Sequence, residues 1–254
     1  MTPEEAYEYA RKHGPSDKMR TIACKNPEFA YFYALEIDKC PRYDTREVVC
    51  ENAEYTYFYA GDIGNKPRRD TRKAVCKDPN WAFFYARDID KCPRDDTRKA
   101  ACRNPKFAYR YAYEIDKKHP NVTTRKAVCK DSESAYLYAL YIDRCPRDDT
   151  RKAACKDSEL AYKYAKDIDL EPSEKTRQAA CKVPKLAAFY ANKIDKKPRE
   201  DTREAACKSP YSAYYYAKFV DKEPKEETWL AVKNTKYEEK YKKIFNNLMK
   251  EEII

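Results

Sequence analysis

Glycine is nearly absent from this chain of 254 residues, which carries 3, and histidine and tryptophan number 2 each. Without glycine there is no flexible loop to cradle a phosphate, and no run matches a nucleotide-binding fingerprint. Two histidines, His13 and His119, supply no HExxH pair, no Ser/His/Asp arrangement and no metal-ligand set, so the usual catalytic side chains are missing. Long apolar runs are missing as well. Nothing approaches the roughly 18 residues of a membrane span, and the charged start MTPEEAYEYARK is unlike a secretion signal. Leu, Ile, Val and Phe together supply only about 14% of the residues, below the roughly 20% at which a highly charged chain is expected to be disordered. Against disorder stand 24 tyrosines and a net charge of +10 that is the small difference between 53 bases and 43 acids. The chain is expected to fold.

What is present is a repeat. Eight of the 11 cysteines stand at Cys24, Cys50, Cys76, Cys102, Cys129, Cys155, Cys181 and Cys207, spaced by 26 residues with one gap of 27. The longer gap reads HPNVTTR where its neighbours read PRDDTR, which places the added residue in a connecting turn. With the cysteine as position zero, each unit reads as two short helices, the first covering D-T-R-K-A-A-C-K. Asn26, Asn52, Asp78, Asn104, Asp131 and Asp157 are the expected N-caps of the second helices. Pro27, Pro79, Pro105, Pro184 and Pro210 follow where a missing N–H costs nothing. The apolar positions of the second helix fall six, nine, ten and thirteen residues past the cysteine (Ala30, Tyr33, Ala34, Ile37), a stripe of helical period. Asp38 and its equivalents close that helix, and a K-x-P-R-D turn ends the unit.

Two such helices have no core alone, but stacked units bury a continuous apolar strip. The expected fold is therefore an all-α solenoid of about nine 26-residue helix pairs with helical caps, forming one continuous domain. Residues 1–14 read as an N-terminal half-repeat, 15–222 as eight repeats, and 223–254 as a degenerate repeat and capping helix. In that last helix a Thr235/Glu238 capping box and a face of Tyr241, Ile244, Phe245 and Leu248 are expected.

The run D-x-T-R-x-A-x-C-x-(N/D)-P resembles the leucine-rich repeat variant, a short bacterial helical repeat with Asp, Arg, Ala and Asn-Pro in similar order. Tyrosine and alanine stand here where that family has leucine, and its N-terminal cysteine cluster for an iron–sulfur centre has no counterpart. The units are also similar to the Tyr-Ala helical repeats of bacteriophage and large-virus proteins of unknown function. Either resemblance covers about residues 15–221 and implies a solenoid with no activity attached.

The cysteine ladder invites a redox or metal reading. Neighbouring helical repeats lie about 8–10 Å apart, beyond the roughly 7 Å Cα separation a disulfide tolerates, and no CxxC occurs. The ladder thiols are expected as small packed side chains, with Cys40, Cys92 and Cys145 more exposed in the turns. No cofactor and no metal are expected. Eleven thiols without pairing logic point to a reducing, cytoplasmic setting, where the sequon Asn121-Val122-Thr123 would be silent.

Arginine stands four residues before each ladder cysteine: Arg20, Arg46, Arg72, Arg98, Arg125, Arg151, Arg177 and Arg203. Such a row, often with a lysine next, could follow a phosphate backbone. The simpler expectation is a salt bridge to the Asp38-type aspartate across the turn, locking each repeat to the next. Tyrosine nine past the cysteine occurs in every unit, from Tyr33 to Tyr216, and on the apolar stripe it is expected to be core rather than a base-stacking platform.

Position eight lies about 160° from that stripe at 100° per residue, where polar residues are expected. Phe32, Phe58, Phe84, Arg110, Leu137, Lys163, Phe189 and Tyr215 stand there instead. Phe32, Phe58, Phe84 and Leu137, with Leu35 and Leu140 one turn on, suggest an apolar ridge left open on the second helices. The expected function is a non-enzymatic scaffold that binds a protein partner through this ridge. The alternative is a nucleic acid or phosphorylated ligand held by Arg46, Arg72, Arg98, Arg125, Arg151, Arg177 and Arg203. Self-association is a further use of the same ridge, and no membrane partner is expected.

Overall fold

The computed structural model describes residues 1–246, and Leu248 of the expected capping face lies outside them. Among the described residues every regular element is helical. The chain forms two compact units, Met1–Val128 and the part from Cys129 onward, and each is a run of α-solenoid.

In the first unit, helix Pro3–His13 is the half-repeat. The first helices that follow are Asp17–Ala23, Tyr43–Val49, Arg69–Val75, Asp95–Ala101 and Val122–Val128, and the second helices begin at Pro27, Ala53, Pro79 and Pro105. In the second unit the second helices begin at Ser132, Ser158, Pro184 and Pro210, and the first helices are Asp148–Ala154, Glu174–Ala180, Glu200–Cys207 and Glu226–Val232. The signals behind these boundaries act as read. Asn26, Asn52, Asp78, Asn104, Asp131 and Asp157 each accept an amide of the following turn, and all five prolines occupy the first helical position.

Each second helix departs from the simple 3.6 period. After six or seven α-helical residues it widens into a π-turn, as at Tyr33–Asp38, Ala86–Asp90 and Ala165–Asp169. The i→i+5 closure is direct in Leu170 N–H to Ala165 O at 3.0 Å and Lys222 N–H to Ala217 O at 2.8 Å. Most of these turns end on a left-handed residue, among them Lys39, Asn65, Lys91, Arg144, Leu170 and Lys196. Of these only asparagine tolerates that conformation readily. The added residue of the long gap falls in the turn after Ile115, where Lys117 and Lys118 are both left-handed.

Alanine and tyrosine supply the core. The tyrosines at position nine, Tyr33 to Tyr216, are fully buried, and Tyr241 of the terminal helix adds a ninth. Their hydroxyls explain why phenylalanine does not serve. The Tyr111 hydroxyl accepts the Arg94 N–H at 3.0 Å, lies 3.1 Å from the Arg94 carbonyl and 2.9 Å from the buried Thr97 hydroxyl. It thereby satisfies the start of the first helix, which no side-chain cap covers. The same clamp recurs at Tyr59, Tyr85, Tyr164, Tyr190, Tyr216 and Tyr241. The half-repeat has no first helix to clamp, and its equivalent Tyr9 is exposed. Tyr111→Phe takes the acceptor from the Arg94 amide and leaves the Thr97 hydroxyl only its 3.2 Å bond to the Arg94 carbonyl, so it is expected to cost about 1–3 kcal/mol. Urea unfolding checks this; a cost below about 0.5 kcal/mol would show that water replaces the hydroxyl.

The terminal helix Glu238–Phe245 buries Tyr241 and Phe245, whereas Ile244 faces out. The expected capping box does not form. Glu238 accepts the Asn234 N–H, while Thr235 donates to the Val232 carbonyl. The preceding helix ends at Val232, and these two side chains finish that end and close the turn.

Candidate functional site

Three rows of side chains recur from repeat to repeat. The arginine row is engaged by carboxylates, but its pairing differs from the sequence expectation. Arg20 grips Asp38, Arg72 grips Asp90 and Arg98 grips Asp116, and in the second unit Arg151, Arg177 and Arg203 grip Asp169, Asp195 and Asp221. Every one of these pairs lies within a single repeat, not across the turn to the next. The helices of a repeat are antiparallel, so the end of the second comes back to the arginine of its own first helix. The bond to aspartate raises the pKa of Arg72, Arg98 and Arg151 above the ordinary value. Arg125 holds the same register position and is half-buried. Arg46 is the exception. Its repeat ends in Gly64, and it reaches Asp70 of the following repeat at 2.8 Å.

A second tyrosine row joins successive repeats. The Tyr31 hydroxyl donates to Asp62 at 2.7 Å, Tyr57 to Asp88 at 2.8 Å and Tyr136 to Asp167 at 2.9 Å, each from position seven to position twelve of the next repeat. Burial and the bond to Asp88 push the Tyr57 hydroxyl up to about 12. Pairing at a separation of 31 residues went unnoticed in the sequence, although acids do recur at position twelve.

The ridge at position eight is half-buried rather than open. In the first unit Phe32, Phe58 and Phe84 pack tilted or edge to face against their neighbours. Ring centroids are 5.2 Å apart for Tyr31 and Phe32, 5.6 Å for Phe58 and Trp81, and 5.3 Å for Phe83 and Phe84. Arg110 ends the strip, its guanidinium 4.3 Å from the Phe83 ring centre. Leu35, and Leu137 and Leu140 of the second unit, are likewise half-buried. Aromatic side chains from positions five and seven reach across to flank the ridge, a contact that helical periodicity alone does not reveal.

The second unit exposes more. Tyr211 and Phe219 are over 40% exposed and flank Tyr215, whose ring centre is 4.7 Å from that of Phe219. A surface groove of about 680 Å³ lies beside them, with Tyr162, Leu186 and Phe189 in its lining and Lys156, Lys163 and Lys185 around it. These residues sit where Lys193 and Phe219 replace the position-twelve acid, a substitution visible in the sequence.

No two of the 11 cysteines form a disulfide, and Cys40 is exposed with Cys92 and Cys145 intermediate. Burial pushes Cys24, Cys50, Cys76, Cys155, Cys181 and Cys207 up to about 11, so these thiols are protonated near neutrality. Among the described residues no group of His, Cys, Asp or Glu is arranged to hold a metal, and no helix is long and apolar enough to cross a membrane.

Fold and side-chain rows together define a tandem helix-pair repeat protein of the α-solenoid class. Compared with protein-family models, curated proteins and solved structures, the chain matches none.

Proposed function

We propose that this protein is a non-enzymatic scaffold whose second helices bind a protein partner through their aromatic ridge, in the reducing compartment to which a chain of 11 cysteines without a disulfide is suited. The observation that carries the reading is the exposure left after the core is complete. Position-nine tyrosine and the alanines fill the interior, yet rings at position eight remain half-exposed in three successive repeats of the first unit. A strip of this kind is what partner proteins bury. Against an arginine row for nucleic acid or phosphorylated ligands stand the two-pronged aspartate partners, which occupy the guanidinium donors. The finer likeness, to leucine-rich repeat variants or to the Tyr-Ala repeats of phage and large-virus proteins, agrees with a scaffold role.

The test uses residues the repeat itself tolerates. Arg110 and Lys163 occupy position eight in other repeats on the same helices, so Phe32→Lys, Phe58→Lys and Phe84→Lys together are expected to keep the fold. The triple variant is expected to lose a partner that co-purifies with the unaltered chain, while Lys73→Ser with Lys99→Ser retains it. The reverse pattern, with sensitivity to salt, would replace the ridge by an electrostatic surface.

A further inference from the structure

Eight copies of one repeat act as internal controls, and the turn after the second departs from the rest in charge. Position fourteen is aspartate in seven repeats and Gly64 in the second. After repeats one and three, whose following turns carry an arginine as this one does, that carboxylate lies beside two arginines, the buried one of its own repeat and the one in the turn. It lies 3.9 Å from Arg42 after repeat one and 3.4 Å from Arg94 after repeat three. At Gly64 both arginines lose it. Arg46 turns to Asp70, and the Nε of Arg68 is buried without a hydrogen-bond partner.

The neighbouring position adds to the imbalance. Seven residues before the cysteine, repeats one, four, six, seven and eight carry Asp17, Asp95, Asp148, Glu174 and Glu200, but repeat three carries Arg69. The carboxylate of this turn, Asp70, is already bound by Arg46 and the Thr71 amide. Arg68, Arg69 and Lys73, together with the already engaged Asp70, line an open depression of about 560 Å³.

We propose that this depression is an anion site that takes the phosphate group of a phosphomonoester. One carboxylate would restore only what Gly64 removed. A phosphate dianion has oxygens enough for the orphaned Arg68 Nε, the Arg69 guanidinium and the Lys73 ammonium together. The site uses side-chain cations away from the aromatic ridge, so it stands or falls independently of the scaffold reading.

Titration calorimetry and thermal melts with inorganic phosphate, a phosphoserine peptide and adenosine monophosphate test it, with ionic strength held constant by sodium chloride. Phosphate is expected to bind and to raise the melting temperature. Arg69→Asp, which copies Asp95 and Asp148, is expected to weaken binding at least tenfold without lowering the melting temperature. Gly64→Asp is expected to abolish binding and to raise the phosphate-free melting temperature by a few degrees. A Cβ at position 64 meets only the Tyr59 carbonyl, at an ordinary 3.5 Å, so the aspartate fits. Tighter binding of the peptide or of the nucleotide assigns the carrier, and equal affinity for all three assigns free phosphate. Equal responses of both variants and the unaltered chain, or a response to chloride alone, would overturn the site.

Discussion

Asp195→Ala is expected to destabilise the second unit by about 3–5 kcal/mol. The Asp195 side chain is completely buried and that of Arg177 is 7% exposed, with bonds of 3.1, 3.0 and 2.7 Å between them. Removing the carboxylate leaves a guanidinium that can neither deprotonate nor reach water freely, since its bond to Glu174 satisfies only one nitrogen. The cost is thus that of a stranded charge and exceeds any net gain from the pair. Replacing both partners, Arg177→Met with Asp195→Leu, is accordingly expected to cost far less than the single change. Chemical unfolding measures both. Because stacked repeats touch only their neighbours, amide exchange should quicken mainly across residues 174–221. A single-variant cost under about 1 kcal/mol would show that solvent reaches this arginine.

Alkali is expected to unfold the protein between about pH 9 and 11. Burial pushes six ladder thiols up to about 11, whereas an exposed thiol in the unfolded chain ionises near 8.5. A group whose folded value is raised contributes fully below its unfolded value, and that contribution disappears as pH climbs toward the folded one. Each unit of separation corresponds to at most about 1.4 kcal/mol, reduced by solvent screening because these thiols are only partly buried, and the loss recurs at six positions along the stack. The buried position-nine tyrosines, raised by desolvation, reinforce the loss at the upper end. Circular-dichroism melts in reductant should show the midpoint falling steeply above pH 9. Cys181→Ala with Cys207→Ala should flatten that fall, and a midpoint unchanged to pH 10.5 would show that the thiols are effectively solvated.

These two expectations describe how a chain poor in aliphatic residues stays folded. Alanine lets the helices approach closely, tyrosine fills the space, and the polar groups so buried find partners that recur: hydroxyl to helix start, arginine to aspartate, tyrosine to the next repeat's acid. Departures from that scheme are the functional candidates, namely the position-eight rings, Gly64 with Arg69, and the basic aromatic groove of the second unit.

The repeat, its 26-residue period, the second-helix caps and the solenoid class were legible in the residues, because they rest on interactions between positions close in sequence. Asn26 caps the amide two residues on, Pro27 stops nothing at a helix start, and Tyr33 shares a helical face with Ala30 and Ile37. Arg20 pairing with Asp38, Tyr57 bonding Asp88, and Phe58 lying half-covered against Trp81 were not legible in that way. Each depends on the antiparallel return of the second helix, its π-turn, or the neighbouring repeat. Periodicity places a side chain on a face, but the partner waiting across that face, or its absence at Gly64, exists only once the helices have stacked.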